Sequence, residues 1–177
     1  MFGWIGQLHG VKILVDTSRG EGVGSGAMHL KDFFAPGTVC LALKSTTRDD
    51  VLRELVGLLD VSDVSAETLL RSLQRRESLG STGVGRGVAI PHCRSAVVNR
   101  VRLAYGHRAE GIEYQSIDGK PVQDFFLIVA PPDEAVNMYL PVLGRIAQFA
   151  KDADVPTRLA ALTEPEQFFA LLDEKGV

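Results

Sequence analysis

The sequence predicts a three-layer α/β/α sandwich with a mixed central sheet, folded as a single domain. Strand-like segments alternate with segments of helical spacing, and the helical segments fall before, between and after the strands, so that both faces of a sheet can be covered. The run Phe125-Phe126-Leu127-Ile128-Val129 is apolar without interruption and of strand length, the pattern of a strand buried on both sides. At 177 residues, with 45% hydrophobic and 23% charged residues, the chain has the size and balance of one globular domain with a real core. No internal repeat is found.

Taken in order, residues 1–27 read as an N-terminal extension or linker. Lys12-Ile13-Leu14-Val15 has the pattern of a short strand, and residues 19–27 are glycine-dense without periodicity. Met28 reads as the start of the domain, which runs over 28–177. Residues 39–43 are expected as a strand, and Thr46 or Thr47 as the N-cap of a helix over 49–59, where Val51, Leu52, Leu55, Val56, Leu58 and Leu59 follow helical spacing. Ser65 opens a second helix through Leu69, Leu70 and Leu73 to Arg75-Arg76. Residues 101–106 alternate like a strand, 117–121 carry turn chemistry, and 123–130 form the buried strand. A long helix over about 135–151 is interrupted or started late by Pro141, and a last helix over 164–173 carries Phe168, Phe169, Leu171 and Leu172.

Composition excludes several functions. A net charge of −3 gives no general affinity for nucleic acid. Cys40 and Cys93 form no CxxC pair and have no histidine cluster about them, which disfavours a disulfide framework or zinc site and fits a reducing cytoplasm. No apolar run approaches the roughly 20 residues that span a bilayer, and no basic-then-apolar leader opens the chain. Neither membrane insertion nor export is expected.

The segment from Arg76 to His92 carries the functional signal: an arginine, a glycine-punctuated stretch, then a histidine delivered by Pro91. It lacks the lysine and following hydroxyl of a P-loop, and Gly83 and Gly85 lead into extended Ala-Ile-Pro rather than a helix, which excludes a dinucleotide fingerprint. Gly22, Gly24 and Ala27 satisfy the permissive GxGxxA form, but Pro36 leaves too little room for the helix behind it. Residue types alone leave two readings: an ordinary hairpin or loop with an incidental histidine, or a loop whose backbone approaches a ligand. Chemistry favours phosphate. Neutral imidazole is a nucleophile near pH 7, and Arg76, the Ser81 and Thr82 hydroxyls and the glycine N–H groups are of the kind that stabilise a transferring phosphoryl group.

The string Arg76-Glu77-x-Leu79-Gly80-Ser81-Thr82-Gly83-Val84-Gly85-x-Gly87-Val88-Ala89-Ile90-Pro91-His92 closely resembles the signature of the enzyme IIA domain of the bacterial phosphoenolpyruvate:sugar phosphotransferase system, fructose/mannitol type. The likeness runs from about Met28 to Lys175. With no IIB or membrane IIC part in the sequence, it is strongest to the nitrogen-regulatory branch. The resemblance implies a mixed sheet between helices, His92 as phosphoryl acceptor from an HPr-like carrier, and Arg76 beside it stabilising the phosphate, with Gly80, Ser81, Thr82, Gly83, Gly85 and Arg86 as the phosphate- or partner-binding loop. It implies no cofactor or metal, and a regulated transporter, kinase or IIB protein as further partner.

Two departures stand out. The family often carries a second active-site histidine in a segment like His-Leu-x-x-Leu, and Tyr139-Leu140-Pro141-Val142-Leu143 occupies that place. A phenol donates a hydrogen bond but carries no positive charge. Arg86 stands where relatives often have Asn or His, either as a compensating charge or as a solvated loop arginine. The expected function is a cytoplasmic phosphohistidine carrier and regulator. The alternatives are a sugar-transport IIA that passes phosphate to a IIB protein, or a binding module of the same fold without transfer. Of the remaining residues, His107 is expected at the surface or as a cap, Cys93 as unreactive, Cys40 as a small core residue, and Arg94 with Arg100 as a basic rim or a solvated edge.

Overall fold

The structure, a computed structural model, describes residues 28–134 and 138–177. The expectations for residues 1–27, including the short strand at 12–15 and the Gly22/Gly24/Ala27 pattern, lie outside the described residues, as does the stretch 135–137.

The described residues form six strands and five α-helices: β1 (Phe34–Cys40), α1 (Arg48–Gly57), α2 (Asp63–Ser78), β2 (Gly83–Gly85), β3 (Val88–Ala89), β4 (His92–Arg94), β5 (Arg102–Ile112), β6 (Val122–Ala130), α3 (Leu140–Lys151), α4 (Val155–Ala160) and α5 (Pro165–Glu174). The sheet order is β1-β5-β6-β3-β2, with β4 also paired to β6. Strand β6 is the spine. It runs antiparallel to β5 and parallel to both β3 and β4, which share its other edge end to end, and β1 runs parallel to β5. The sheet is therefore mixed, as expected.

The continuous apolar run of β6 is explained by its two faces. Phe126, Ile128 and Ala130 point into a core shared with Val142, Ile146, Phe149, Phe168 and Leu172 of α3 and α5. Phe125, Leu127 and Val129 point the other way, against Val51, Leu55, Leu69 and Leu73 of α1 and α2. Every one of these side chains is almost fully buried, each contributing about 1.5–3 kcal/mol of transfer free energy if of Val to Phe size. Tyr105 stacks on Phe168 with ring centroids 4.3 Å apart, tying β5 to the last helix.

Several elements differ from expectation. Strand β1 begins at Phe34, before the expected 39–43; it lies at the sheet edge, where the register shift between Phe34 and Val39 accommodates Pro36 and its missing N–H. Thr47, one of the two expected caps, accepts from the Asp50 N–H, and α2, capped by Ser62, opens at Asp63, two residues before its expected opening at Ser65. Helix α3 starts at Leu140 with Pro141 in its first turn, the late start allowed for above. Helix α4 was not anticipated. His107 corrects the sequence reading: it lies within β5, is 8% exposed, and its Nδ1 is 2.8 Å from Asp124 Oδ1, which also accepts from the Tyr105 hydroxyl at 2.6 Å. A carboxylate buried on β6 needs donors, and β5 supplies them from the residue directly opposite, His107, and from Tyr105 on the same face. Cys40 is only partly buried, packed at the margin of the α1–α2 core. No helix among the described residues is long and apolar enough to cross a membrane.

Candidate functional site

The site forms where α2 ends beside β4. The Leu69, Leu70 and Leu73 stripe seats α2 on the sheet, and Arg76, one turn beyond Leu73, reaches the rim of that contact partly buried. A cation in the last turn also complements the helix dipole. Glu77 turns inward. Its buried carboxylate accepts the Thr82 N–H at 3.1 Å and the Thr82 hydroxyl, clamping the chain that follows the helix. Gly80, at φ +142°, makes the reversal, and its carbonyl accepts from Arg76 Nη1 at 2.9 Å.

The glycine segment beyond is a tight hairpin, β2 and β3 joined by Arg86 (φ +58°) and Gly87 (φ +78°), the left-handed pair a two-residue turn requires. Pro91 then breaks the edge pairing, its carbonyl accepting from the Ile128 N–H at 2.9 Å, and β4 resumes alongside β6. Strand alternation sets the three residues of β4. Cys93 is buried against α1 and α2, while His92 is half-buried and Arg94 exposed on the other side.

Hydrogen bonds define the imidazole of His92. Nδ1 lies 2.7 Å from the Ile90 carbonyl oxygen, which can only accept, so Nδ1 carries the proton. Nε2 is then the lone-pair nitrogen, and Arg76 Nε donates to it at 3.1 Å. Burial pushes the His92 pKa below the ordinary histidine value; the Ile90 carbonyl opposes this, the Arg76 guanidinium adds to it, and Glu77 pulls weakly the other way. The ring is neutral and nucleophilic near pH 7.

Tyr139 stands beside this pair, its ring centroid 6.0 Å from that of His92 at an interplanar angle of 61°. Burial raises its phenol pKa, against the nearby charges of Arg76 and Arg94. Cys93, next in sequence to His92, is unreactive by the same reasoning, its thiol pushed up to about 12 by burial. His92 opens into a shallow depression of about 970 Å³ whose walls include Arg75, Arg76, Arg94, Leu79 and Leu140. Leu79 and Leu140 are 81% and 55% exposed.

Of the residues singled out in the sequence, the fold brings together His92, Arg76 and Tyr139, with Gly80 touching the group through its carbonyl. Ser81, Thr82, Gly83, Gly85 and Arg86 do not line the depression. Their polar groups have structural partners: the Ser81 hydroxyl donates to the Tyr114 carbonyl at 2.6 Å and accepts from the Gly83 N–H, the Gly85 N–H reaches the Ser116 hydroxyl at 3.0 Å, and the Arg86 guanidinium is held on the Lys151 carbonyl. Arg86 is thus anchored outside the depression that Tyr139 lines. Arg94 lines the depression with Tyr139, a placement legible from its position two residues after His92 on a strand. Leu79 and Leu140 stand inside the quoted segments without an assigned role, and Arg75 carried no sequence signal beyond ending the second helix. Among the described residues, no three His, Cys, Asp or Glu side chains are grouped to hold a metal.

Fold and site together define a single-domain α/β/α protein that presents an arginine-braced, neutral histidine at its surface. The chain belongs to the family described as phosphoenolpyruvate-dependent sugar phosphotransferase system, EIIA 2, which matches residues 32–175. It is 30% identical over 146 residues to a nitrogen regulatory protein of Bradyrhizobium diazoefficiens, covering 82% of this chain and 95% of that one. It is 29% identical over 154 residues to the 2-O-α-mannosyl-D-glycerate-specific EIIABC component of Escherichia coli, covering 84% of this chain but only 23% of that longer protein. Among solved structures, the nitrogen regulatory protein IIA-Ntr of Neisseria meningitidis superimposes with a TM-score of 0.74 at 30% identity, covering 80% of this chain and 97% of that one.

Proposed function

We propose that this chain is a phosphohistidine carrier and regulator of the phosphotransferase system, acting as a phosphotransferase that accepts a phosphoryl group on Nε2 of His92 from an HPr-like carrier in the cytoplasm. The observation that carries the proposal is the tautomer: the Ile90 carbonyl holds the proton on Nδ1 and leaves the Nε2 lone pair toward Arg76 in the open depression. In the transfer, the Nε2–P bond forms as the donor's N–P bond breaks, and the donor imidazole leaves with the electron pair. Positive charge arising on the His92 ring is offset by the Ile90 carbonyl. Arg76 moves its N–H groups from Nε2 to the phosphoryl oxygens, where a guanidinium fork binds best. Tyr139 contributes a neighbouring hydroxyl in the family's second-histidine position. The test is incubation with phosphoenolpyruvate, enzyme I and a carrier, followed by intact-mass measurement: one phosphoryl group is gained, and His92→Ala abolishes the gain. A gain that survives the substitution refutes the assignment.

The comparable identity to a sugar-specific EIIABC component supports a second reading, in which His92 passes its phosphoryl group to a IIB protein. Transfer from the phosphorylated chain to a IIB protein separates the two. A module that binds partners without transfer gives no mass gain, and partner affinity that is indifferent to His92→Ala.

A further inference from the structure

A second cleft opens between the turn Leu30–Phe33, the start of β1, the turn after α1 and the start of β5. Its volume is about 350 Å³, the size of a small-metabolite site. Leu103 on its wall pairs with Ile128 from one edge of β6, and His92 pairs with Ile128 from the other, so the two sites are separate. Phe34, Leu58 and Leu103 give the cleft apolar walls, and its charged groups are Arg100, Arg102, Asp32 and Asp60. Asp60 is placed by a left-handed backbone (φ +50°) in the turn after α1, a conformation that aspartate tolerates. Arg102 is incompletely partnered. Its Nη1 donates to the Leu59 carbonyl at 3.2 Å, one of the five donors that a guanidinium carries. Its Nε is buried and meets no acceptor among the described residues. A buried donor on a charged group is costly without an acceptor, and an anion laid against it removes that cost. Although the two arginines and two aspartates line one cleft, the ion pairs of the described residues all join other groups. A purely structural strut from β5 to the α1 turn accounts for Nη1 and leaves Nε and the aspartates unexplained.

We propose that this cleft binds a small zwitterion with an apolar body, an α-amino acid of the leucine type, its carboxylate on the Arg102 guanidinium and its ammonium among the Asp32 and Asp60 carboxylates. The charge pattern selects the class. A dianion such as a phosphate ester answers the arginines but meets two carboxylates in the same cleft, and a simple amine meets two arginines. A neutral apolar molecule leaves the Arg102 Nε without an acceptor. A molecule that carries both charges on one carbon answers both sets of groups and adds no net charge to the cleft, while the apolar walls take its side chain. The site is independent of phosphoryl transfer at His92.

The test is a titration of the isotope-labelled full chain with L-leucine, followed by NMR. Three control probes run beside it: isocaproate, which lacks the ammonium, isoamylamine, which lacks the carboxylate, and inorganic phosphate. Leucine shifts the Arg102 Nε–H and the Leu59 and Asp60 amides saturably, with half-saturation at about 1 mM or below, and each control binds about tenfold or more weakly. Arg102→Met keeps the apolar stem and loses leucine binding. The Asp32→Asn/Asp60→Asn double variant binds leucine about tenfold more weakly and isocaproate to within about threefold of leucine, because the ammonium has lost its partners. Both aspartates are exposed, so this variant decides the question even where Arg102→Met fails to fold. His92→Ala leaves leucine binding unchanged. Absence of a saturable shift up to about 10 mM leucine overturns the proposal. So does phosphate or isocaproate binding as tightly as leucine, the mark of a plain anion site, and so do shifts confined to the His92 depression. None of these results bears on His92 as phosphoryl acceptor, which the mass measurement tests separately.

Discussion

Arg76 approaches His92 along Nε at 3.1 Å, a contact that serves two states of the ring. In the resting protein the guanidinium charge disfavours imidazolium, second to burial among the effects that lower the His92 pKa. In the proposed reaction it neutralises the phosphoryl oxygens. Because the folded protein binds a proton at His92 less readily than the unfolded chain, the contribution to stability is intact above the unfolded histidine value of about 6.5. It is lost progressively as pH falls from there through the folded value, then levels off. Arg76→Ala removes the repelling charge, so the His92 pKa rises and the acid limb of the transfer profile moves to higher pH. At the plateau, transfer falls about a hundredfold or more, the usual consequence of deleting one aligned charge-stabilising donor. Titration of the His92 ring protons by NMR reads the first effect and carrier-dependent labelling the second. A pKa that falls or stays put in the variant contradicts the electrostatic role.

The hairpin β2–β3 shows what an element of few apolar side chains depends on. An ideal Cβ at Gly83 would lie 2.8 Å from Ser116 Cα, a backbone atom, whereas one at Gly144 in α3 meets nothing within 4 Å. Gly83→Ala forces the 116–118 turn away from the hairpin, where the Ile117 N–H donates to the Gly83 carbonyl at 3.1 Å, and costs about 1–3 kcal/mol. Gly144→Ala gains about 0.5–1 kcal/mol by removing helix-interior glycine. Urea midpoints of the two variants move in opposite directions at unchanged slope. The same dependence explains why some elements were legible in the sequence and others were not. Strand β6 declares itself by apolar continuity, and α1 and α2 by leucine spacing and nearby Thr and Ser caps, since each signal is local. Strands β2, β3 and β4 are two or three residues long and held by partners from 116–118 and β6, which no local pattern reveals. Helix α4 has only six residues with proline in its first turn, too short for a period to register. At the site, the pairing of Arg76 with His92 was readable through the signature that joins them, whereas the basic, leucine-flanked rim exists only once α2 and α3 are folded against β4.

For the molecule as a whole, the sheet separates two kinds of demand along β5 and β6. At one end, β6 carries β4 and with it His92, paired in register with Ile128. At the other, Asp124 is 2% exposed and accepts from both Tyr105 and His107, and the burial of Tyr105, followed by the Asp124 charge and hydrogen bond, raises the Tyr105 pKa well above its ordinary value. This buried cluster crosses between the two central strands four residues along β6 from Ile128, and Tyr105 carries it on to Phe168 in α5. Its role is cohesion, outside the chemistry of the surface site. Asp124→Ala leaves two buried donors without an acceptor, at about 1–3 kcal/mol each, and the total of about 2–6 kcal/mol is a large share of the stability of an ordinary domain. Tyr105→Phe removes a donor and spares the carboxylate its second partner only, so it costs less, about 1 kcal/mol. Neither substitution touches the Ile90–His92–Arg76 geometry, so below its unfolding transition the Asp124→Ala protein accepts phosphoryl groups at the unmodified rate. Thermal unfolding followed by circular dichroism, with labelling kinetics at low temperature on the same samples, checks both halves. A slowed acceptor in a fully folded Asp124→Ala protein would show that the two ends of the sheet are coupled.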